Sequence, residues 1–315
     1  MVVLIVGSLA YDSIETPAGA VENALGGSAT YGGLACQFHL RRMGLDQPVA
    51  IVGVVGEDFA EADRSVLSTA GLDLTGLETV KGATFRWEGA YAGSMGEAQT
   101  KATHLNVFEH FQPQVPTPLA RPNVLFCANL HPLLQHQVMD QTETKGVTML
   151  DSMNLWIDIA RDDLQRAMER ADVVIINDGE ARMLTGDHHL PRAMQTLAQT
   201  TSTSALIVKR GEHGVLALHD GRWIALPAFP VPTLVDPTGC GDSFAGTLAA
   251  HLAGNGGQLT HDLLRLALES ANVTASFTLQ GFGTAGLVTI TADEYDQRLH
   301  EYRLMVKGPS GPHNS

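Results

Sequence analysis

The residues with the clearest chemical potential stand in a short glycine-rich turn, Gly239-Cys240-Gly241-Asp242. Apolar residues recur at helical spacing over the following segment, residues 243–253, so the turn opens a predicted helix. The first backbone N–H groups of a helix and the positive end of its dipole attract an anion without needing a lysine. The turn is therefore predicted to be an anion site.

Asp242 lies at the same point, where its negative charge makes it an unsuitable ligand for an anion. Such a carboxylate can instead take a proton from a hydroxyl group while the amides of the turn stabilise a transferring phosphoryl group. An ordinary helix N-cap after a tight glycine turn accounts for the same residues. The turn alone does not decide between a general base and a cap.

Other polar constellations follow apolar runs or precede a predicted helix. Residues Asn177 to Glu180 follow one run, and Lys209 to Gly214 follow another. Asp12 comes soon after the first run, and Gly26-Gly27 precedes a helical stretch. Because ligands of α/β proteins bind at the carboxyl ends of strands, these groups are expected to share one site. An Asn and a Glu at such an end can organise water around Mg²⁺.

The elements that must position these residues are short apolar runs alternating with helical stretches. The alternation is typical of a mostly parallel sheet covered by helices. The runs are residues 2–6, 49–55, 124–127, 147–150, 173–176, 205–208 and 215–218. Residues 12–24 and 82–108 alternate differently and predict small antiparallel strands outside the main sheet, with surface loops as the alternative. We expect one domain over residues 1–306 and a disordered tail over 307–315.

Composition excludes several classes of function. The chain has 315 residues with 20 Lys+Arg against 34 Asp+Glu, a net charge of −14, which argues against binding nucleic acid or an anionic membrane. The cysteines, Cys36, Cys127 and Cys240, are far apart and form no CxxC pair, so no disulfide framework is expected and a reducing cytoplasm fits best. No apolar stretch is long enough to cross a bilayer, and a structural metal is not expected.

The order of these motifs resembles the ribokinase/PfkB family of carbohydrate and nucleoside kinases. The resemblance is carried by Asp12, Gly26-Gly27, residues 151–154, Asn177-x-x-Glu180, residues 209–214, residues 236–242, Ala271-Asn272, Gly281 and Gly283. The stretch 236–242 is its specific element. It implies a three-layer αβα ribokinase-like fold with a mostly parallel central sheet. It also implies that the two irregular segments form a small β-sheet lid, which covers the substrate and often serves for dimerisation.

The resemblance implies transfer of the γ-phosphoryl group of ATP to a hydroxyl, expected to be primary, of a sugar or sugar derivative. Asp242 would be the base, with the anion hole formed by the amides of Gly239, Cys240, Gly241 and Asp242. The acceptor would lie near Asp12, Gly26, Gly27, Tyr31 and Asn154. Mg-ATP would lie near Asn177, Glu180, Lys209, Gly211, Gly214 and Asn272, with Glu180 reaching Mg²⁺ through water. Asp236 and Thr238 correspond to a monovalent cation (K⁺) site.

Departures from the family pattern concern the acceptor. Tyr31 stands where many sugar kinases of the family carry an asparagine, so it either stacks on a base or sugar face or packs in the core. Nucleosides therefore stay open as acceptors. The predicted lid carries further side chains that either line the acceptor pocket or only pack: Phe85, Trp87, Tyr91, His104, Phe108 and Glu109. The thiol of Cys240 starts a helix, where a thiolate is favoured, which predicts alkylation that Mg-ATP blocks.

Two other functions were weighed against kinase activity. A nucleotide- or sugar-binding regulator without turnover would share the fold, but the intact Asp242 argues against it. A dinucleotide-dependent oxidoreductase would carry GxGxxG after the first strand, where residues 7–11 read GSLAY instead. The sequence therefore favours a phosphotransferase.

Overall fold

A nine-stranded sheet lies at the centre of the computed structural model, which describes residues 2–96 and 98–307. The strands in chain order are β1 (Val3–Val6), β2 (Ala10–Thr16), β3 (Gly19–Gly26), β4 (Val49–Gly56), β5 (Leu72–Val80), β6 (Phe85–Ala90), β7 (Gln99–His104), β8 (Val124–Cys127), β9 (Val147–Asp151), β10 (Val173–Asn177), β11 (Ala205–Lys209), β12 (Val215–His219) and β13 (Arg222–Leu226). The helices are α1 (Ser28–Arg42), α2 (Glu61–Thr69), α3 (Pro132–Gln141), α4 (Asn154–Ile159), α5 (Arg161–Met168), α6 (Asp178–Thr185), α7 (Leu190–Thr201), α8 (Cys240–Gly254), α9 (His261–Thr278), α10 (Ala285–Val288) and α11 (Ala292–Lys307).

The central sheet has the order β13-β12-β11-β10-β9-β8-β1-β4-β5. All pairs from β11 to β5 are parallel, and β12 and β13 add an antiparallel edge. The inner strands β1, β4 and β8 are buried along their whole length, which explains their continuous Val, Ile and Leu. The predicted mostly parallel sheet is confirmed.

Helices cover both faces of this sheet. Side chains of α1, α8 and α9 pack with Ile5 and Ile51 in one core, and side chains of α3, α5 and α7 pack with Leu4 and Val52 in a second core. Successive residues of a strand point to opposite faces, so Ile5 packs in the first core and Leu4 in the second. The three-layer αβα prediction is confirmed.

The two irregular segments form a separate four-stranded sheet, which we call the lid, with the order β3-β2-β6-β7. The alternative of plain surface loops is therefore wrong. The pairs β2–β3 and β6–β7 are antiparallel as expected, but the central pair β2–β6 is parallel. A parallel pair needs a long crossover, and the chain between these strands runs through α1, β4, α2 and β5 of the main body.

The last described element is α11, which ends at Lys307. The predicted tail therefore starts one residue too early, and its other residues, 308–315, lie outside the described part of the chain. Over residues 2–96 and 98–307, no helix combines the length and apolar character that crossing a membrane requires.

Candidate active site

The glycine turn lies at the N-terminus of α8. Gly239 has φ +76°, and a Cβ there would lie 2.4 Å from the ring of Tyr31, so the position needs glycine for both reasons. The amide of Cys240 donates to the carbonyl of Pro237 (3.2 Å). Within the described residues, the amides of Gly241 and Asp242 have no backbone acceptor. Of the four amides expected to form the anion hole, that of Cys240 is thus already used, and the Gly239 amide, like those of Gly241 and Asp242, has no backbone acceptor in the described chain.

The carboxylate of Asp242 lies in the first turn of α8, beside those amides. Burial raises the pKa of Asp242 to about 6; Asp151 adds to the rise and Lys209 opposes it. At neutral pH the group is therefore mostly ionised, yet closer to the working pH than an ordinary aspartate. Both properties suit a general base.

Lys209 and Asp151 form an ion pair at the carboxyl ends of β11 and β9. The ammonium lies 2.9 Å and 3.2 Å from the two carboxylate oxygens. It also lies 2.9 Å from the position that a Cβ on Gly241 would occupy. The resemblance implied a place for Lys209 near the nucleotide, and the structure puts its charged end at the glycine turn. Sequence reasoning missed the partner, Asp151, as a member of the site.

Asn177 and Glu180 meet where β10 joins α6. The Asn177 side chain accepts from the Glu180 amide (2.8 Å), and the Glu180 carboxylate accepts from the backbone N–H (2.8 Å) and Nδ2 (2.6 Å) of Asn177. This reciprocal arrangement is a capping box. Burial raises the pKa of Glu180 to about 7, with Lys209 opposing the rise. The cap thus also holds one buried carboxylate in a fixed orientation.

This carboxylate fits the Mg²⁺ that the family resemblance implies. Mg²⁺ keeps most of its waters and reaches proteins through one or two carboxylates. Glu180 is 4% exposed, and its oxygens keep lone pairs beyond the two bonds from Asn177. Asp236 differs, because its two oxygens accept from the backbone N–H groups of Thr238 (2.9 Å) and Gly283 (3.0 Å). These bonds give Asp236 a structural role, since they connect it to the backbone at Thr238 and Gly283. The binding of a monovalent cation at Asp236 and Thr238 stays a prediction.

Asp12 faces the turn from the lid. A Cβ on Gly26 would lie 2.0 Å from a carboxylate oxygen of Asp12, so glycine there makes room for the acid. Gly27 follows with φ +96° and directs the chain into α1. Burial, with Asp236 and Asp242 nearby, raises the pKa of Asp12 to about 8, while the Gly27 amide lowers it. Buried carboxyl groups whose pKa is raised in this way, with one hydrogen bond to oppose the rise, are concentrated at functional sites.

Five residues expected at the site have roles within the fold itself, and their contacts with ligands stay predictions. Tyr31 is 1% exposed and packs beneath Gly239, which corresponds to the core alternative. The Asn272 amide donates to the Tyr302 hydroxyl (3.1 Å), so it links α9 to α11. Asn154 is exposed at the start of α4, where its side chain accepts from the Leu155 amide (2.9 Å). Gly211 and Gly214 shape the turn after β11, both at positive φ.

The structure contradicts the lowered pKa expected for the Cys240 thiol. The side chain is partly buried, and its sulfur lies 3.7 Å from the carbonyl oxygen of Ala275. Burial, followed by the charges of Asp236 and Asp242, raises the pKa of the Cys240 thiol above its ordinary value. Burial and two carboxylates outweigh the helix dipole at this position.

The lid face that carries Asp12 also carries Trp87. These residues are paired in register on β2 and β6, and paired residues point to the same face of a sheet. The Trp87 ring covers Gly89, where a Cβ would lie 2.1 Å from it, and the indole N–H donates to Thr100 (3.2 Å). The Tyr91 hydroxyl accepts from Thr238 (3.2 Å), a lid-to-turn bond that the sequence did not indicate.

The remaining lid residues divide into packing and surface. Phe85 stacks on Phe108, with ring centroids 5.4 Å apart, so both belong to packing within the lid. His104 and Glu109 are exposed, and His104 lies 3.7 Å from Glu88. Trp87 and Tyr91 are thus the aromatic side chains of the lid that the structure places toward the site.

The structure brings several groups together at one edge of the sheet: Asp242, the amides of the glycine turn, the buried carboxylates of Asp151 and Glu180 with Lys209, and the lid. The sequence profile described as pfkB family carbohydrate kinase matches residues 2–290. This chain belongs to the pfkB family. As a member of this family, it is an ATP-dependent kinase of small molecules. The acceptors of family members are sugars and nucleosides.

Individual pfkB relatives differ in how much of the chain they cover. The cytidine kinase of Thermococcus kodakarensis is 28% identical over 281 residues, which is 85% of this chain and 94% of that protein. The fructokinase of Salmonella typhimurium is 30% identical over 137 residues, 44% of this chain and 43% of that protein.

Solved structures of the family share the fold. Burkholderia thailandensis nucleoside kinase in complex with inosine superposes with TM-score 0.73 at 21% identity, covering 95% of this chain and 98% of that one. Thermotoga maritima ribokinase gives TM-score 0.74 at 18% identity, with 95% and 99% covered. At these identities the likeness shows the fold, and the acceptor has to be argued from the site.

Proposed function

We propose that this kinase transfers the γ-phosphoryl group of ATP to a sugar hydroxyl of a nucleoside, with Asp242 as the general base. The observation that carries the proposal is the place of Asp242 in the first turn of α8, across from Asp12 and beside the amides of Gly241 and Asp242, which have no backbone acceptor in the described chain. An acid beside an anion site serves proton removal and phosphoryl stabilisation together.

The reaction balances with the groups at the site. The acceptor oxygen attacks the γ-phosphorus in line, its bond to phosphorus forms, and the bond from phosphorus to the β–γ bridging oxygen breaks. Asp242 takes the hydroxyl proton, and ADP leaves. The amides of Gly241 and Asp242 donate to the transferring group. Bound Mg²⁺, held by Glu180 through water and with Asn177 fixing that carboxylate, would neutralise charge on the triphosphate.

The side chains of the lid favour a nucleoside over a small sugar as the acceptor. The carboxyl group of Asp12 can hydrogen-bond a pair of ribose hydroxyls, as an acceptor when it is ionised and as both donor and acceptor when it is protonated. Trp87 lies beside it on the same face, with its ring spread over Gly89, and such a ring gives a planar base a stacking surface. The cytidine kinase relative, which matches 85% of this chain, supports the same class.

A simple sugar or sugar derivative is the second candidate. It is favoured by the fructokinase relatives, whose matches cover 44% of this chain or less. The two acceptors differ in their expected contact with Trp87, because a simple sugar has no planar base to stack on its ring.

The test is release of ADP from Mg-ATP with a panel of nucleosides, sugars and keto-deoxy acids. We expect nucleosides to give the highest kcat/KM. Asp242→Asn should lower kcat about 10³-fold while ATP still raises the melting temperature. The matched control is Asp262→Asn, which changes an exposed aspartate in the first turn of α9 and should keep full activity.

Two results would overturn the proposal. Asp242→Asn protein that retains turnover would show that another group is the base. Higher kcat/KM for sugars than for every nucleoside would assign the second candidate instead.

A further inference from the structure

Lys209 reaches from the end of β11, across the end of β10, to Asp151 at the end of β9. Its side chain is mostly buried, and Asp151 is 3% exposed. The ammonium also lies 2.9 Å from where a Cβ on Gly241 would stand. A lysine with an apolar stem thus ends directly under the glycine turn.

The ammonium is surrounded by acids. Asp151, Glu180 and Asp242 all act on Lys209, and Lys209 opposes the rise in pKa that burial causes in each of them. Burial by itself lowers the pKa of Lys209, yet these carboxylates hold it above its ordinary value. The lysine therefore carries its positive charge at neutral pH.

We propose that Lys209, oriented by Asp151, is a positioning residue for phosphoryl transfer, which fixes a positive charge beneath the glycine turn and keeps Asp242 in its ionised, proton-accepting form. The inference rests on the proposed function, because it takes Asp242 as the base. Lys209 acts through the turn and through Asp242, and Asp151 acts by holding the ammonium in place.

A purely structural ion pair would leave a different signature. Breaking a buried pair by removing one partner is destabilising, whereas replacing both partners with uncharged side chains of similar volume is often neutral. A structural pair would therefore change the melting temperature without moving the pH dependence of catalysis. A positioning charge moves the pH dependence, because removing a cation next to an acid raises the pKa of that acid.

The groups that face Asp242 define what the pH profile reports. They are Asp151 of β9, Lys209 of β11, Asp12 of β2, Tyr31 of α1 and Cys240 of its own turn. Lys209 is the basic side chain among them. Its removal leaves the carboxylates unopposed, so the acid limb of kcat should move to higher pH.

The experiment measures kcat against pH and the melting temperature for Lys209→Met and Lys209→Arg. We expect Lys209→Met to lower kcat about 10²-fold and to move the midpoint of the acid limb up by about one pH unit. Lys209→Arg keeps the charge and should keep the midpoint within a few tenths of a unit. Lys145→Met, which removes an exposed lysine paired with Glu143, is the matched control and should match the parent enzyme.

A double variant keeps the inference testable if Lys209→Met does not fold. Asp151→Asn with Lys209→Met removes both charges, so it should regain the melting temperature of the parent while kcat stays low. Because Asp151 raises the pKa of Asp242 and Lys209 lowers it, the acid limb of the double variant should return toward that of the parent. An unchanged kcat in either Met variant, or an unchanged acid limb in Lys209→Met, would overturn the inference. If Asp242→Asn is inactive in the same assay, such a result rejects only the role proposed for Lys209. If Asp242→Asn is active, the proposed function itself is rejected.

Discussion

On the lid face, the indole ring of Trp87 covers Gly89 next to the carboxylate of Asp12. Stacking of one base on an aromatic ring contributes about 1–3 kcal/mol. Trp87→Leu should therefore raise KM for nucleosides about tenfold or more and leave kcat/KM for simple sugars within about twofold. Steady-state kinetics with one nucleoside and one sugar from the active panel measure both effects.

Trp223→Leu is the control for Trp87, because Trp223 is 39% exposed on the edge strand β13. It should leave both substrates unaffected. Equal losses for nucleoside and sugar in Trp87→Leu would mean that the ring supports the fold of the lid and does not contact a base.

Local sequence predicted the residues of the site better than their partners. Asp242, Glu180 and Asp12 stand in short motifs whose chemistry can be read within a few positions. The Lys209–Asp151 pair could not be predicted, because 58 residues separate its members and strand order alone brings them together. Tyr31 faces the core for a similar reason, since only the tertiary structure shows that Gly239 lies over its ring.

At the scale of an element, α6 depends on its capping box. Asn177→Ala removes the acceptor for the Glu180 amide and the Nδ2 donor to the Glu180 carboxylate. It should lower the free energy of unfolding by about 1 kcal/mol and also raise KM for Mg-ATP, because the carboxylate loses its fixed orientation. Urea unfolding and steady-state kinetics with varied Mg-ATP measure the two effects.

Thr260→Ala separates capping from substrate binding. Thr260 caps α9 by accepting from the Leu263 amide (3.3 Å), so its loss should weaken a helix by a similar amount and leave KM for Mg-ATP unchanged. If both variants lose stability and neither changes KM, Glu180 has no part in binding Mg-ATP.

Elements with strong periodicity could be predicted, and short or polar ones could not. The helix predicted over residues 243–253 lies within α8, and the first apolar run, residues 2–6, contains β1. β5 was missed because only Leu72 and Gly76 of its nine residues are buried and because it carries acidic residues such as Asp73 and Glu78. The parallel pair β2–β6 was missed because sequence spacing carries no information on the direction of two strands so far apart.

Across the whole molecule, the lid and the main body meet at the site. The lid contributes Asp12 and Trp87, and Tyr91 accepts a hydrogen bond from Thr238 just before the glycine turn. The N-terminus of α8 and the ends of β9 to β11 contribute the remaining groups. No single segment of the chain holds the site, so its integrity depends on the global fold.

That fold contains two buried histidines that predict how it responds to acid. His39 of α1 lies 5.6 Å from His251 of α8, ring to ring, and its Nε2 bonds to Thr274 of α9 (2.8 Å). In the described part of the chain, His39 Nδ1 and His251 Nε2 have no hydrogen-bond partner. Burial, with each ring near Arg42, lowers the pKa of both histidines, that of His251 to about 4.

A histidine with a lowered pKa in the folded state stabilises the fold fully above its unfolded pKa of about 6.5 and progressively less as the pH falls toward its folded pKa. For His251 the loss between pH 7 and pH 5 should be about 2 kcal/mol. His251→Leu should therefore flatten the decline, and His300→Leu, which changes an exposed histidine of α11, should retain it. Urea unfolding at both pH values measures the difference; equal declines in the parent and in His251→Leu would show that His251 is protonated as readily in the folded as in the unfolded chain.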